Sequence, residues 1–159
     1  MLGSDGLREM GMLTDLISIF PKLATEPYRR TSDCTFDYNC FAHALDDQTQ
    51  RWEPAFSWPD GLPKTAPPTI AVLMRLFRMH GYQPCGGPDA EQGFEKVAIY
   101  GKGNKATHAA KQLPDGSWTS KLGDLDDISH TLEGLVGDMY GRPLRYMKRP
   151  VAAPANLPP

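Results

Sequence analysis

The chain has 159 residues, a formal net charge of −2 and a sequence pI of about 6.1. This length predicts one domain with a core that needs neither metals nor disulfides. The near-neutral charge provides no field that attracts nucleic acid or an anionic membrane, so we expect neither as a partner.

The pattern of cysteines and apolar residues bears on the compartment. No apolar run reaches the roughly 18 residues that a spanning helix needs, and residues 1–20 lack the layout of a signal peptide. Three cysteines, Cys34, Cys40 and Cys85, form an odd and low count that predicts reduced thiols. We therefore expect a cytoplasmic protein, or one exported without a cleaved signal.

The amino-terminal half carries helical patterns. Residues 7–20 have apolar side chains at helical spacing, and Pro21 marks the end of that helix. Asn39 is a suitable N-cap for a helix of about ten residues, with Cys40 in its first turn. The clearest helix covers residues 69–80. Two loops rich in Pro or Gly, at 52–68 and 83–93, separate the later elements.

The carboxyl-terminal half reads as strands. We expect strands at 96–100, 107–113, 118–121 and 143–148, with a loop and a short helix over 124–136. Helices followed by an antiparallel meander predict an α+β fold, with amino-terminal helices packed on a small antiparallel sheet. The globular domain should cover residues 1–148, and the Pro- and Ala-rich residues 149–159 should form a disordered tail.

Cys40 and His108 are the residues with the clearest chemical potential. A thiol pKa falls below ~8.5 at a helix N-terminus or beside an imidazolium, and Cys40 follows a predicted N-cap. His108 should begin a strand directly after a Gly-rich turn. A helix-borne cysteine with a strand-borne histidine is a layout used by cysteine hydrolases, in which the imidazole takes the thiol proton.

A family resemblance rests on three short motifs: NCxxHA at 39–44, THAA at 107–110 and WTSKLG at 118–123. In this order, with His130 following, they resemble uncharacterised bacterial domains that look like compact relatives of the NlpC/P60 and papain-like superfamily. The resemblance spans roughly residues 38–146. It implies a papain-like fold, Cys40 as nucleophile, His108 as base, and a third polar group on the neighbouring strand.

The third group depends on the turn between the two strands. A two-residue Asp115-Gly116 turn places His108 opposite Gly123, and then Thr119 and Lys121 share its face while Ser120 points away. A bulge or a longer turn brings Ser120 into place instead. Asp124 is a further alternative, at the strand end. We take Ser120 as the candidate third member.

Other residues have structural explanations beside functional ones. We assign Asn39, His43 and Trp58 to substrate binding, although His43 and Trp58 are also ordinary core-packing residues. His130 is expected to make a structural hydrogen bond. Cys34, Cys40, His43 and Cys85 do not have the spacing of a zinc site, so we expect no metal and no cofactor.

These observations predict a thiol hydrolase, a peptidase or amidase that acts on a peptide or protein. Backbone N–H groups at the start of the Cys40 helix would hold the oxyanion. A deamidase or transglutaminase-like acyl transferase is an alternative on the same dyad. A binding, adaptor or immunity-type protein that keeps the fold without turnover is the alternative from another class.

Overall fold

The computed structural model describes residues 16–32, 35, 37–53, 57–123 and 125–151. It is an α+β structure with short helices and an extended sheet, which confirms the predicted class. Residues 16–19 are helical, and single 3-10 turns cover Pro21–Ala24 and Glu133–Leu135. The remaining helices are α1 (Cys40–Ala44) and α2 (Ile70–Arg78).

Within the described residues, seven strands form one antiparallel sheet in the order β1-β6-β5-β4-β3-β7-β2. Their bounds are β1 Tyr28–Ser32, β2 Gln83–Cys85, β3 Phe94–Lys102, β4 Lys105–Gln112, β5 Trp118–Lys121, β6 Asp127–His130 and β7 Arg142–Pro150.

The sheet is larger than the predicted meander. The strand predictions at 96–100, 107–113, 118–121 and 143–148 are confirmed as β3, β4, β5 and β7. Strands β2 and β6 lie in segments that we read as loop, and β1 lies in a polar segment for which we predicted no element. Each of the three strands is short and carries polar side chains that mask the alternation. The predicted start of the tail at 149 is wrong, since β7 continues to Pro150; residues 152–159 lie outside the described residues.

Of the two helices predicted at 69–80 and after Asn39, the first forms nearly as predicted and the second is shorter. Helix α2 begins after Thr69, whose hydroxyl accepts a hydrogen bond from the Val72 N–H at 3.1 Å, as an N-cap should. Helix α1 has five residues instead of about ten. It ends at Leu45, and Asp46 then takes a positive φ of 61° that the α-helix does not allow. Of the predicted helix at 7–20, only residues 16–20 lie within the described chain.

The sheet separates two apolar cores. Helices α1 and α2 cover one face, which we call the helix face, where Val97, Ile99, Ala109 and Met147 are buried. Residues 16–24 and the turn at 133–135 cover the other, which we call the far face, where Ala98, Tyr100, Ala110 and Ile128 are buried. The alternation along β3 and β4 therefore decides on which face each polar side chain lies.

Candidate active site

The start of α1 is fixed by the side chain of Asn39. Its Oδ1 accepts hydrogen bonds from the N–H groups of Ala42 at 3.1 Å and Trp52 at 3.0 Å. Its Nδ2 donates to the Trp52 carbonyl at 3.0 Å. Asn39 is thus the predicted N-cap, and it also ties the loop at 51–53 to the helix start. With these three bonds made, it acts on the site by holding that loop beside Cys40.

The Cys40 thiol lies between α1 and β4 and packs against the apolar core of the helix face. Burial raises its pKa to about 11, although backbone hydrogen bonds at Ala109 and Phe41 favour the thiolate. This direction is opposite to the one that the helix start predicts. Cys40 is partly buried, and desolvation of its sulfur outweighs the effect of a helix of only one turn.

Strands β4 and β5 separate close to this thiol. Their ladder consists of two pairs, Lys111 with Thr119 and Gln112 with Trp118. Ala109, two residues earlier on β4, is beyond the ladder, and its backbone is where the Cys40 sulfur finds its hydrogen bond. We call this opening between the two strands the β4–β5 cleft.

The His108 side chain occupies the far-face side of the same cleft and has no exposed surface. Its ring stacks on Tyr140 with the centroids 4.1 Å apart and the planes at 6°, and it meets the edge of Tyr100 at 5.5 Å. Tyr140 is held there because the backbone of Gly141 packs against that of Gly101 with no room for a Cβ. Both reactive groups lie near Tyr140, since the Cys40 charge, after burial, raises the pKa of that tyrosine.

The two ring nitrogens of His108 have different surroundings. Nε2 makes a hydrogen bond of 2.8 Å to Ser120 Oγ across the cleft. Nδ1 is buried and has no hydrogen-bond partner. Within the described residues, no hydrogen bond joins the Cys40 sulfur to His108. Nδ1 is therefore the nitrogen left to accept a thiol proton.

A third strand extends this arrangement. Ser120 Oγ also bonds to His130 Nε2 at 2.7 Å, and His130 Nδ1 bonds to the Thr131 carbonyl at 2.6 Å. His108, Ser120 and His130 thus form a hydrogen-bonded chain across β4, β5 and β6. Burial lowers the pKa of His108 well below its usual value and that of His130 to about 4, so both imidazoles are neutral at pH 7.

The turn between β4 and β5 explains why Ser120 is available. Leu113 N–H donates to the Ser117 carbonyl and Gly116 N–H to the Leu113 carbonyl, at 2.7 and 2.9 Å. The loop therefore has three residues, with Gly116 at a φ of 90° that suits glycine. Ser120 then shares the face of His108, whereas the two-residue turn that would have placed Thr119 and Lys121 there does not form.

His43 belongs to a separate polar cluster on the helix face. Its Nε2 lies 3.0 Å from Thr119 Oγ1 and its Nδ1 3.6 Å from Asp127 Oδ2. The same Asp127 oxygen accepts a hydrogen bond of 2.5 Å from the Tyr38 hydroxyl. Burial lowers the pKa of His43, and the charge of Asp127 opposes that shift.

The residues assigned to substrate binding do not lie together. His43 and Thr119 line a cavity of about 1000 Å³ that also includes Lys111 and Asp46. Trp58 donates to the Pro63 carbonyl at 3.1 Å and lines another cavity, of about 510 Å³, with Trp52 and His80. Neither Cys40 nor His108 is among the described residues that line these two cavities.

Several remaining predictions can be placed. Cys34 and Asp124 lie outside the described residues. Cys85 is a partly buried free thiol in the short edge strand β2. Among the residues that the structure describes, no three His, Cys, Asp or Glu side chains group as metal ligands. In the same part of the chain, no helix is long and apolar enough to cross a membrane.

Sequence reasoning missed two contributors to the site. Tyr140 has no motif, and it lies beside His108 through tertiary contacts that include the approach of Gly141 to Gly101 and the hydrogen bond from the Thr107 hydroxyl to its carbonyl. His130 makes the structural hydrogen bond that we expected, to the Thr131 carbonyl, and the pairing of Trp118 with His130 also brings its ring to Ser120, which we did not expect. The sequence signal that could have placed His130 is the alternation of Ile128 and His130 after the WTSKLG motif, which is typical of a strand with both side chains on one face.

Fold and site together define an α+β protein with a thiol at a helix start on one face of an antiparallel sheet and a buried histidine on the other face, both near the opening between β4 and β5. The model of one family, a domain of unknown function called DUF7689, matches residues 29–148, which is more than half of the chain. The chain therefore belongs to this family. No curated protein and no solved structure matches the chain.

Proposed function

We propose that the protein is a thiol hydrolase of papain-like or NlpC/P60-like architecture that acts on amide or related acyl bonds of a peptide or protein. Cys40 is the nucleophile, His108 the base and Ser120 the group that orients the imidazole. The observation that carries this proposal is the different bonding of the two ring nitrogens of His108. Nε2 is hydrogen-bonded to Ser120, and Nδ1 is buried beside the cleft without a partner among the described residues.

The pKa values favour a neutral resting pair over a thiolate–imidazolium pair. With a thiol pKa of about 11 and a histidine pKa well below its usual value, the proton stays on sulfur. When an acyl group enters, His108 Nδ1 takes the thiol proton as the sulfur attacks the carbonyl carbon. It then gives that proton to the leaving group as the bond from the carbonyl carbon to that group breaks, so the imidazole is neutral again. Water then attacks the thioester, and His108 transfers the proton of that water so that the free thiol returns.

The first experiment uses p-nitrophenyl acetate as a small acyl donor. We expect a burst of p-nitrophenolate together with acetylation of the Cys40 peptide, read by mass spectrometry. Cys40→Ser and His108→Gln should slow acylation by about 10³-fold or more. Because the base is already neutral, the acylation rate should be flat between about pH 6.5 and 9, whereas an ion pair would give a bell.

Cys85→Ser is the matched control, since this free thiol lies on β2 and outside the site. It should keep the burst. An acetyl group found on Cys85 or on lysines, with the same rate in Cys40→Ser, would overturn the proposal. A primary amine such as Nα-acetyl-lysine added to the acyl-enzyme separates the acyl-transferase alternative, because a transferase passes the acyl group to this amine faster than to water.

A second candidate function is binding without turnover. It is favoured by the cavity of about 1000 Å³ beside His43, because Cys40 is not among the described residues that line it. A folded wild-type protein that gives no burst, and whose Thr119 and His43 amide signals shift when a mixture of short peptides is added, would support this candidate.

A further inference from the structure

We call the hydrogen-bonded chain of His108, Ser120 and His130 the relay. Chemistry fixes the direction of the hydrogen bond at its end, between His130 and Thr131. The Thr131 carbonyl oxygen can only accept a hydrogen bond, so His130 Nδ1, 2.6 Å away, must carry a proton and donate it. This bond is the fixed end of the chain, and the other bonds take their directions from it.

Each following bond has one allowed direction when His130 is neutral. Its Nε2 then bears a lone pair and accepts the Ser120 hydroxyl proton across 2.7 Å. The Ser120 oxygen, having donated its only proton, must accept from His108 Nε2–H across 2.8 Å. His108 consequently carries its proton on Nε2, and Nδ1 presents a bare lone pair.

We propose that His130 is a positioning residue that acts through Ser120 to hold His108 in the tautomer with a bare Nδ1. His130 does not touch the thiol, but it decides which His108 nitrogen is basic. The catalytic importance of this tautomer rests on the proposed function, while the tautomer itself is a property of the folded protein and is measured without turnover.

The surroundings keep the direction of the relay unambiguous. Burial keeps His130 neutral at pH 7 by lowering its pKa to about 4. The hydrogen bond that the described residues make to His130 Nε2 is the one from Ser120 Oγ, and its strand neighbour Ile128 is apolar. A protonated His130 would donate through Nε2 instead, and Ser120 would then donate to His108 and reverse its tautomer.

The test is long-range ¹H–¹⁵N NMR of the imidazole rings, which distinguishes a protonated nitrogen from a bare one. In the wild-type protein at pH 7 we expect His108 to be protonated on Nε2 and His130 on Nδ1. In His130→Leu the Ser120 hydroxyl loses its acceptor and competes for His108 Nε2. We expect the tautomer ratio of His108 to shift by about tenfold toward Nδ1–H, as for one lost hydrogen bond.

Three further variants give the test its controls. His130→Gln keeps an acceptor at the place of Nε2 and should restore the wild-type tautomer. His43→Leu removes a histidine on the helix face and should leave the His108 tautomer unchanged. Ser120→Ala breaks the relay in the middle and serves if His130→Leu does not fold.

Two results would overturn the inference: a wild-type His108 protonated on Nδ1, or a relay-broken variant that keeps the single Nε2–H tautomer. Failure of the hydrolase proposal gives a different pattern. In that case the tautomers are as expected, but the wild-type protein shows no Cys40 acetylation.

Discussion

The two faces of the sheet hold two histidine clusters that differ in their hydrogen-bond partners and in their exposure to solvent. On the far face, His108 and His130 are linked through a hydroxyl and have no exposed surface or nearly none. On the helix face, His43 faces Thr119 on one side and the carboxylate of Asp127 on the other, and it lines an open cavity. The two hydroxyls belong to successive residues of β5.

The difference shows what a carboxylate contributes beside an imidazole. Asp127 favours the protonated form of His43 and opposes the effect of burial on its pKa. For His108 the influences after burial are the other histidines, and they lower its pKa further. A sealed cluster of neutral groups suits a fixed tautomer, whereas a cluster with a carboxylate at a cavity suits a changing charge.

We call His108, Ser120 and His130 the sealed cluster, and His43, Thr119 and Asp127 the open cluster. Removing the hydroxyl of the sealed cluster should have the largest effect on stability. Ser120→Ala leaves His108 Nε2 and His130 Nε2 buried without a partner. Each unsatisfied group costs about 1–3 kcal/mol, so for the two groups we expect the free energy of unfolding to fall by about 2–6 kcal/mol. Urea denaturation at pH 7 measures this.

Thr119→Val is the matched control, because it removes the neighbouring hydroxyl on the face that lines the cavity. Water in that cavity can replace the lost bond to His43, and we expect a cost below about 1 kcal/mol. Equal losses for the two variants would contradict the distinction between a sealed and an open cluster.

Acid should destabilise the sealed cluster over a defined range. The unfolded state takes up a proton on His130 as the pH falls through about 6.5, but the folded state does so only near a pKa of about 4. Stability that is complete above pH 6.5 is therefore lost between these values, by about 3 kcal/mol from His130 alone. Burial of His108 acts in the same direction.

Urea denaturation at pH 7, 5.5 and 4.5 measures this loss, and His130→Gln supplies the comparison. Glutamine does not titrate, so the variant should lose less stability over the same range. An identical pH dependence in the two proteins would show that His130 does not remain neutral in the folded state.

Part of this arrangement could be predicted from the sequence. Cys40 at a capped helix start and His108 on a strand follow from Asn39 and from the Gly-rich turn, and both elements form. The helix is shorter than expected, and β4 begins at Lys105, three residues before His108. The alternative of a longer turn that brings Ser120 to His108 is realised. It depends on Gly116 taking the third loop position instead of the second, a choice that Asp-Gly alone does not fix.

The remaining features depend on tertiary structure. The thiol pKa moves upward because β4 and the loop at 51–53 bury the sulfur, which helix position cannot reveal. The place of His130 follows from pairing between β5 and β6, and β6 has only four residues with a polar pattern. Short strands of this kind are defined by their neighbours more than by their own propensity.

The smallest effect that we predict is a change in the pKa of His43 in the open cluster. In Asp127→Asn the negative charge beside His43 is lost while the shape of the side chain is kept. The pKa of His43 should therefore fall below its wild-type value, because burial is then no longer opposed by Asp127. NMR titration of the four histidines measures this. The pKa values of His108 and His130 should change less than that of His43, since burial is the largest influence on both and the charge of His43 on the other face is a smaller one. If the pKa of His130 moved as much as that of His43, the sheet would not separate the two clusters electrostatically, and a charge bound in the cavity would then be felt at His108 as well.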